Sequence, residues 1–548
     1  MSYIKSIASF AIAAATLWSA TGLCETKSRD ERRKLGEVAI NFEDEPPSMD
    51  PTKQADAISG MWLAHLFEGL LSMDASGKRV VPAAAERFTV SPDGKTYTFF
   101  LRAGAQWHDG KPVTANDFVY TFRRLVDPKF GSEYAYIANV AQIENAGSVI
   151  RGKKPLTDLG VHARDERTLE IRLAAPVSFF PSLMTASIFY PVRKDVVEKY
   201  RDKFATDMGS VIGNGPFKLT RWVHETSMRV EKFAGFWNAG NIAITAIDAP
   251  VMLKDDGAAY NQFLTGGFDF VMLDRDRLRI AQKEKRSIRT FTDDSVNWLE
   301  INYRSGRLFA NQTLRQALRA AMNRTELVDK VWGIPGAKAA WGVVPDYMPG
   351  SSLATTFRKE NPLKWRDGDI TEAKRLVARY LAETKQKQVP PFEILGDNTI
   401  KGKLPVEYLQ GYLSGIFQTK ITINLVPYRT HSQLMRDGEF DLAWIGWAPD
   451  YLDAMTMVER FISENDNNYG NFSNAKFDNL VRSARAEGNP RRRMELLGQA
   501  EKVLIVDVAG VIPAYQPSRA YLIADGLEGY SHIHLGVDPD FRYARWKR

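Results

Sequence analysis

SPDGKTYTFFLRAGAQWHDGKPVTANDFVYTFRRLVDP, residues 91–128, runs a turn, a strand, a second turn and a capped helix together in one stretch. Ser91, Pro92, Asp93 and Gly94 make a β-turn with glycine where a positive φ is expected, joining two strands. Residues 97–101 (YTFFL) read as the second of those strands, and Trp107 to Lys111 (WHDGK) as another turn closing the sheet. Thr114 and Asp117 (TAND) form a capping box with Asp in place of Glu, which predicts a helix over 115–126. These residues build scaffold and need not touch a ligand.

Outward from this run the pattern repeats. Strands are predicted at 38–41, 169–173, 228–232, 247–252, 421–426 and 442–445. Helices are predicted at 60–66, 314–322, 326–332, 370–381 and 491–506, with Asn323 and Arg324 ending one helix and Thr325 starting the next. The alternation predicts an α/β chain. At 548 residues the chain is too long for one core, and roughly 150 residues per domain suggests two to four domains. No fixed-period repeat and no low-complexity linker interrupts it, which favours domains the chain crosses back and forth between.

Composition narrows the function. A hydrophobic content of 44% with 25% charged residues is that of a soluble globular chain. The net charge of +7 is spread over 73 basic and 66 acidic residues; the densest basic cluster, Arg29, Arg32, Arg33 and Lys34, is broken by Asp30 and Glu31, so no nucleic-acid partner is expected. Residues 1–24 read as a signal peptide: Lys5 opens it, residues 7–18 (IASFAIAAATLW) are its apolar core, and Ala20 and Gly22 suit a cut after Gly22. That core is shorter than the ~20 apolar residues a membrane span needs. Cys24 is the sole cysteine, so no internal disulfide forms; Leu23 before it, where a lipoprotein signal needs a small residue, argues against a lipid anchor.

Catalytic chemistry finds little support. The seven histidines (65, 108, 162, 224, 431, 532 and 534) fall in no HExxH helix, and His532 and His534 on one strand face are at best a weak metal pair. No GxSxG elbow is present. Residues 147–154 (GSVIRGKK) have phosphate-loop spacing but lack the terminal Ser or Thr and a leading strand. The expectation is a protein that is not an enzyme, with no cofactor and no metal.

Further stretches join the opening one: EPPSMDP (45–51), HLFEGLL (65–71), GKKPLTDLGV (152–161), NGPFKL (214–219), LRQALRAAMNRTEL (314–327) and FDLAWIGWAPDY (440–451). Together, in order, they resemble the peptide-binding family of bacterial import-system solute receptors, and most closely its periplasmic oligopeptide-binding members. The resemblance implies a two-lobed periplasmic-binding-protein fold with a hinge and an extra third domain. It implies residues 25–67, 201–298 and 512–548 in lobe I, 68–200 in the extra domain and 299–511 in lobe III. It also implies a monomer in the periplasm that encloses short peptides between its lobes and delivers them to the membrane permease subunits of an ATP-driven (ABC) importer.

By that resemblance Asp450 receives the peptide's N-terminal ammonium, a desolvated carboxylate for a desolvated cation. Gly446 would pair its main chain with the peptide, as its lack of a side chain permits, and Trp447 would wall a pocket. Tyr134 would lie along the first peptide residues and Tyr428 would form another aromatic wall. The sequence departs from the family where an arginine clamps the peptide's C-terminal carboxylate: Trp444 stands there, and Ser305, flanked by Arg304 and Arg307, stands at a second cation position. At a third cation position Lys401 or Lys403 is the candidate replacement. The departure leaves room for a longer or modified peptide, a cell-wall fragment, or a non-peptide solute such as a metal chelate, haem or sugar derivative. An exported peptide hydrolase and a chaperone that binds unfolded chains are further alternatives.

Overall fold

The computed structural model describes residues 27–547, apart from 43, 54, 55, 353 and 534–536. The predicted signal peptide, Cys24 and His534 lie outside these residues. The opening motif folds as read except for its second turn, which was expected to close the sheet. Thr96–Leu101 pairs antiparallel with Ala85–Val90 and Thr168–Arg172, and Val161–Ala163 completes a four-stranded sheet. Gly94 takes φ +70° in the turn between the first two strands, where its N–H donates to the Ser91 carbonyl at 2.8 Å. The second turn closes through Gly110 (φ +84°), whose N–H donates to the Trp107 carbonyl. It docks away from the sheet: His108 N–H donates to the Gly213 carbonyl at 2.8 Å, and Gly213 N–H donates to His108 Nδ1 at 3.2 Å. Asp117 accepts from the Thr114 N–H at 2.8 Å and from Trp107 Nε1 at 3.3 Å, so one carboxylate caps the helix Ala115–Leu125 and ties it to the turn.

A second four-stranded sheet has the order Glu37–Ala39, Ala246–Ala249, Ser227–Lys232, Phe217–Val223. A parallel bridge from Ile40 to Phe270 joins it to a three-stranded sheet whose central strand, Ser518–Ile523, lies between Phe270–Leu273 and Ile288–Thr292. Segments from both ends and the middle of the chain therefore share one body. Asp269 knits them: Arg32 donates to both its carboxylate oxygens at 2.8 Å, and Ala39 N–H donates at 2.9 Å.

The largest sheet has six strands in the order Lys338–Ala339, Val511–Gln516, Val296–Ile301, Leu442–Trp447, Phe392–Asp397, Ile421–Val426. Two of its interior strands, Val296–Ile301 and Val511–Gln516, are among those the sequence pattern did not nominate. Val296–Ile301 is buried at every position, so it lacks the in–out alternation of a half-exposed strand. Val511–Gln516 carries Pro513 in the middle of a sheet; the ladder shifts register between Asn297 and Trp298, and Pro513 pairs at that irregularity, where a missing donor is tolerated. Helices Gln312–Ala321, Ile370–Thr384 and Ile400–Phe417 cover one face of this sheet, sealing a core around Leu299, Leu318, Leu376 and Leu409.

Two strand-to-strand steps join the three-stranded and six-stranded sheets. Residues 293–295 link Ile288–Thr292 to Val296–Ile301, and Pro517 links Val511–Gln516 to Ser518–Ile523. The steps run side by side, since Asp293 N–H donates to the Pro517 carbonyl at 2.8 Å. Charged groups bind this joint: Arg519 pairs with Asp293 at 2.8 Å and Asp538 at 3.4 Å, and His532 lies 3.1 Å from both Asp294 and Asp538. Burial alone would discharge His532, but these carboxylates overrule it and raise its pKa to about 10.

Candidate functional site

Beside the joint lies a cavity of about 660 Å³, walled on one side by residues between 444 and 450, at the end of the strand Leu442–Trp447 and in the loop after it, and on the other by residues near the first four-stranded sheet. All seven residues singled out from the sequence, Tyr134, Lys401, Tyr428, Trp444, Gly446, Trp447 and Asp450, line it. Arg304 is turned to the Tyr469 carbonyl (2.8 Å), Arg307 to Asp441 (3.2 Å) and Lys403 to Glu407 (3.7 Å), so of the replacement cations considered, Lys401 is the one at the wall.

Asp450 sits in the loop that follows Leu442–Trp447, where Pro449 ends the strand and Asp450 N–H donates to Thr456 Oγ1 at 3.1 Å. Burial pushes its carboxyl up to about 6, and the charge of Glu459 adds to that, while the Tyr136 hydroxyl pulls the other way. Among the described residues no cation contributes to holding it ionised. The site is thus a desolvated carboxylate set for a cation from outside. Tyr134 and Tyr136 face it from the opposite wall, their rings 6.0 Å apart and stacked, and burial with Asp450 nearby raises the Tyr134 hydroxyl to about 12. Tyr136 was not singled out from the sequence; its place two residues after Tyr134, in EYAYI, is the signal that was available.

Gly446 pairs with Asn297 across the ladder, and a Cβ at 446 would stand 2.3 Å from Asn297 Oδ1. Glycine here keeps the strand edge bare toward the cavity. Trp447 is half-buried under Arg460, whose guanidinium lies 4.8 Å from its ring and pairs with Glu300 at 2.9 Å. Trp444 is 2% exposed and packs against Tyr515 at 5.8 Å, so it presents only an edge to the cavity and belongs mainly to the core. Tyr428, the first residue of the helix Tyr428–Asp437, is 69% exposed and stands at the rim. Lys401, at the start of Ile400–Phe417, lies across from Asp293; burial works to raise the pKa of Asp293, but Arg519 and then Lys401 outweigh it and lower it.

Asp293, Asp294, Asn297, Arg519 and Arg542 also line the cavity. Asp293, Asp294 and Asn297 share one short stretch, Arg519 and Arg542 stand in two others, and only the crossing strands bring the three stretches together. No group of three or more His, Cys, Asp or Glu able to hold a metal occurs among the described residues.

The sequence model for bacterial extracellular solute-binding proteins, family 5 (middle), matches residues 79–469. The chain belongs to that family. Its relatives include the dipeptide-binding protein DppE of Bacillus subtilis, 28% identical over 525 residues, covering 93% of this chain and 92% of that protein. The periplasmic oligopeptide-binding protein OppA of Salmonella typhimurium is 30% identical over 504 residues, covering 90% and 89%. Among solved structures, Haemophilus influenzae OppA in complex with the peptide RPPGFSPFR matches with a TM-score of 0.77 at 26% identity, covering 94% of this chain and 99% of that one. The family's two-lobed α/β fold is the one described above.

Proposed function

We propose that this chain is an extracytoplasmic receptor that takes short peptides into the cavity beside the joint and hands them to the membrane subunits of an ATP-driven importer. The observation that carries the reading is Asp450: a half-buried carboxylate with a raised pKa, facing a cavity and with no cation of the described residues holding it ionised. A peptide's ammonium meets that need, and Gly446 offers main chain for an extended ligand to pair with. Tyr134, Trp447 and Tyr428 supply flat apolar surface that tolerates many side chains. In this reading the protein acts as a monomer and carries out no chemistry of its own; residues 25–67, 201–298 and 512–548 form one lobe, 299–511 the other, and 68–200 the extra domain. The predicted signal peptide places it outside the cytoplasm.

The test is mass spectrometry of small molecules that copurify with the natively isolated protein. A ladder of short peptides is expected. A single non-peptide mass would keep the fold and move the ligand to another class, a reading that Trp444, in the place of a carboxylate-clamping cation, favours. Turnover of added peptide would overturn the binding-only reading.

A further inference from the structure

The loop that carries Asp450 also touches the far wall at a second point. Tyr451, next in sequence, stacks on Phe179 with ring centroids 4.7 Å apart and planes 9° from parallel. Both rings are nearly sealed, at 2% and 8% exposure. Phe179 belongs to the body of the four-stranded sheet 85–172: it precedes the short helix Phe180–Leu183, and Phe180 packs on Tyr97 of the strand Thr96–Leu101 at 4.4 Å. Tyr451 belongs to the body of the six-stranded sheet, where its hydroxyl donates to Glu459 at 2.7 Å and Glu459 pairs with Arg485 at 2.9 Å. Arg493 completes the seat. It holds Asp453 through two contacts of 2.8 Å and lies 5.2 Å from the Phe179 ring. One short loop therefore carries the ligand carboxylate and a socket for an aromatic ring from the opposite body.

We propose that Phe179, seated against Tyr451 and Arg493, is a clasp that holds the two bodies shut over the Asp450 end of the cavity and sets how long a ligand stays inside. Opening would bare two aromatic faces and part the cation from its ring. The clasp touches no part of the ligand, so it slows release of all ligands alike. The inference rests on the reading of the cavity as a ligand site only for its release step.

Two readouts test it on the full mature protein with Phe179→Ala and Phe179→Leu. Small-angle scattering of the ligand-free protein is expected to show a larger radius of gyration for both variants. Release of tri-alanine and of N-acetyl tri-alanine, followed by stopped-flow tryptophan fluorescence, is expected to quicken by about twofold to tenfold in Phe179→Ala, the worth of one aromatic pair, and by the same factor for both peptides. Phe179→Leu keeps the site filled and decides the matter if the alanine variant does not fold. Unchanged radius and unchanged release in a folded variant would overturn the clasp. A factor that differs between the two peptides would assign Phe179 to ligand contact and overturn it as well. Should the wild type bind neither peptide, the reading of the cavity fails for these ligands, and scattering alone still decides the clasp.

Discussion

In the proposed reading, Asp450 concentrates the binding chemistry in one side chain. Its removal leaves a peptide ammonium buried without a partner, at a cost of roughly 3–5 kcal/mol, or about two to four decades in affinity. Titration calorimetry of Asp450→Ala should show that loss for a free-amine peptide and little change for its N-acetylated form; equal losses would remove the assignment. Its titration predicts a pH dependence as well. An ammonium binds the ionised carboxylate, so affinity should be flat above pH about 6 and fall by up to tenfold per unit below it. The same raised pKa works against the empty protein. Between the ordinary value of 3.8 and about 6 the native state holds a proton the unfolded chain has lost, so this group's contribution to stability falls as pH rises through that window. Thermal unfolding without ligand, compared between wild type and Asp450→Asn from pH 4 to 7, checks the sign. Gly446→Ala is the second test at this scale. Its methyl would crowd Asn297 Oδ1, so Asn297 must turn toward the cavity. Peptide affinity should drop by at least tenfold while stability changes by about 1–3 kcal/mol, the usual cost of overpacking.

Among the elements, those with a strong period or a cap were legible and the buried ones were not. The helix Ala115–Leu125 announces itself through Thr114 and Asp117, and Ile421–Val426 has the bounds its β-branched run predicts. Residues 326–332 read as one helix but fold as a turn of α-helix, Arg324–Glu326, continuing into the wider π turn Leu327–Trp332, a difference the side-chain period cannot carry. The strands Val296–Ile301 and Val511–Gln516 stayed hidden, because a strand buried on both faces shows no alternation and Pro513 argues against a central position. The cavity was half legible for the same reason: 444–450 lies in one motif, whereas Asp293, Asp294 and Arg519 meet only where the hidden strands cross. That crossing has its own prediction. His532 is held charged by Asp294 and Asp538, so its contribution to stability is full below its unfolded value of 6.5 and is lost as pH rises through about 10. Chemical denaturation of His532→Gln should show a stability lower by roughly 3 kcal/mol or more at pH 7, as for other broken buried pairs, and a flatter decline of stability between pH 7 and 10.

For the whole molecule, the cavity lies beside two strand-to-strand steps that bind the bodies on either side, so in the proposed reading ligand binding and closure are one equilibrium. A ligand bound only to the folded chain stabilises it by about 2.7 kcal/mol at a hundredfold excess over Kd. Differential scanning fluorimetry with added tri-alanine should show the midpoint rising with the logarithm of peptide concentration in wild type, and far less in Asp450→Ala. The way the chain closes on itself also bears on how such a protein reaches its destination. Trp546 Nε1 donates to the Glu37 carbonyl across 509 residues of sequence, and Arg519 reaches Asp293 across 226. The central strand of the three-stranded sheet, Ser518–Ile523, arrives after almost everything it pairs with. A chain still on the ribosome has no such strand, and pairings this distant in sequence form slowly once it is complete. A body that cannot finish folding early stays threadable, which suits the exported receptor proposed above.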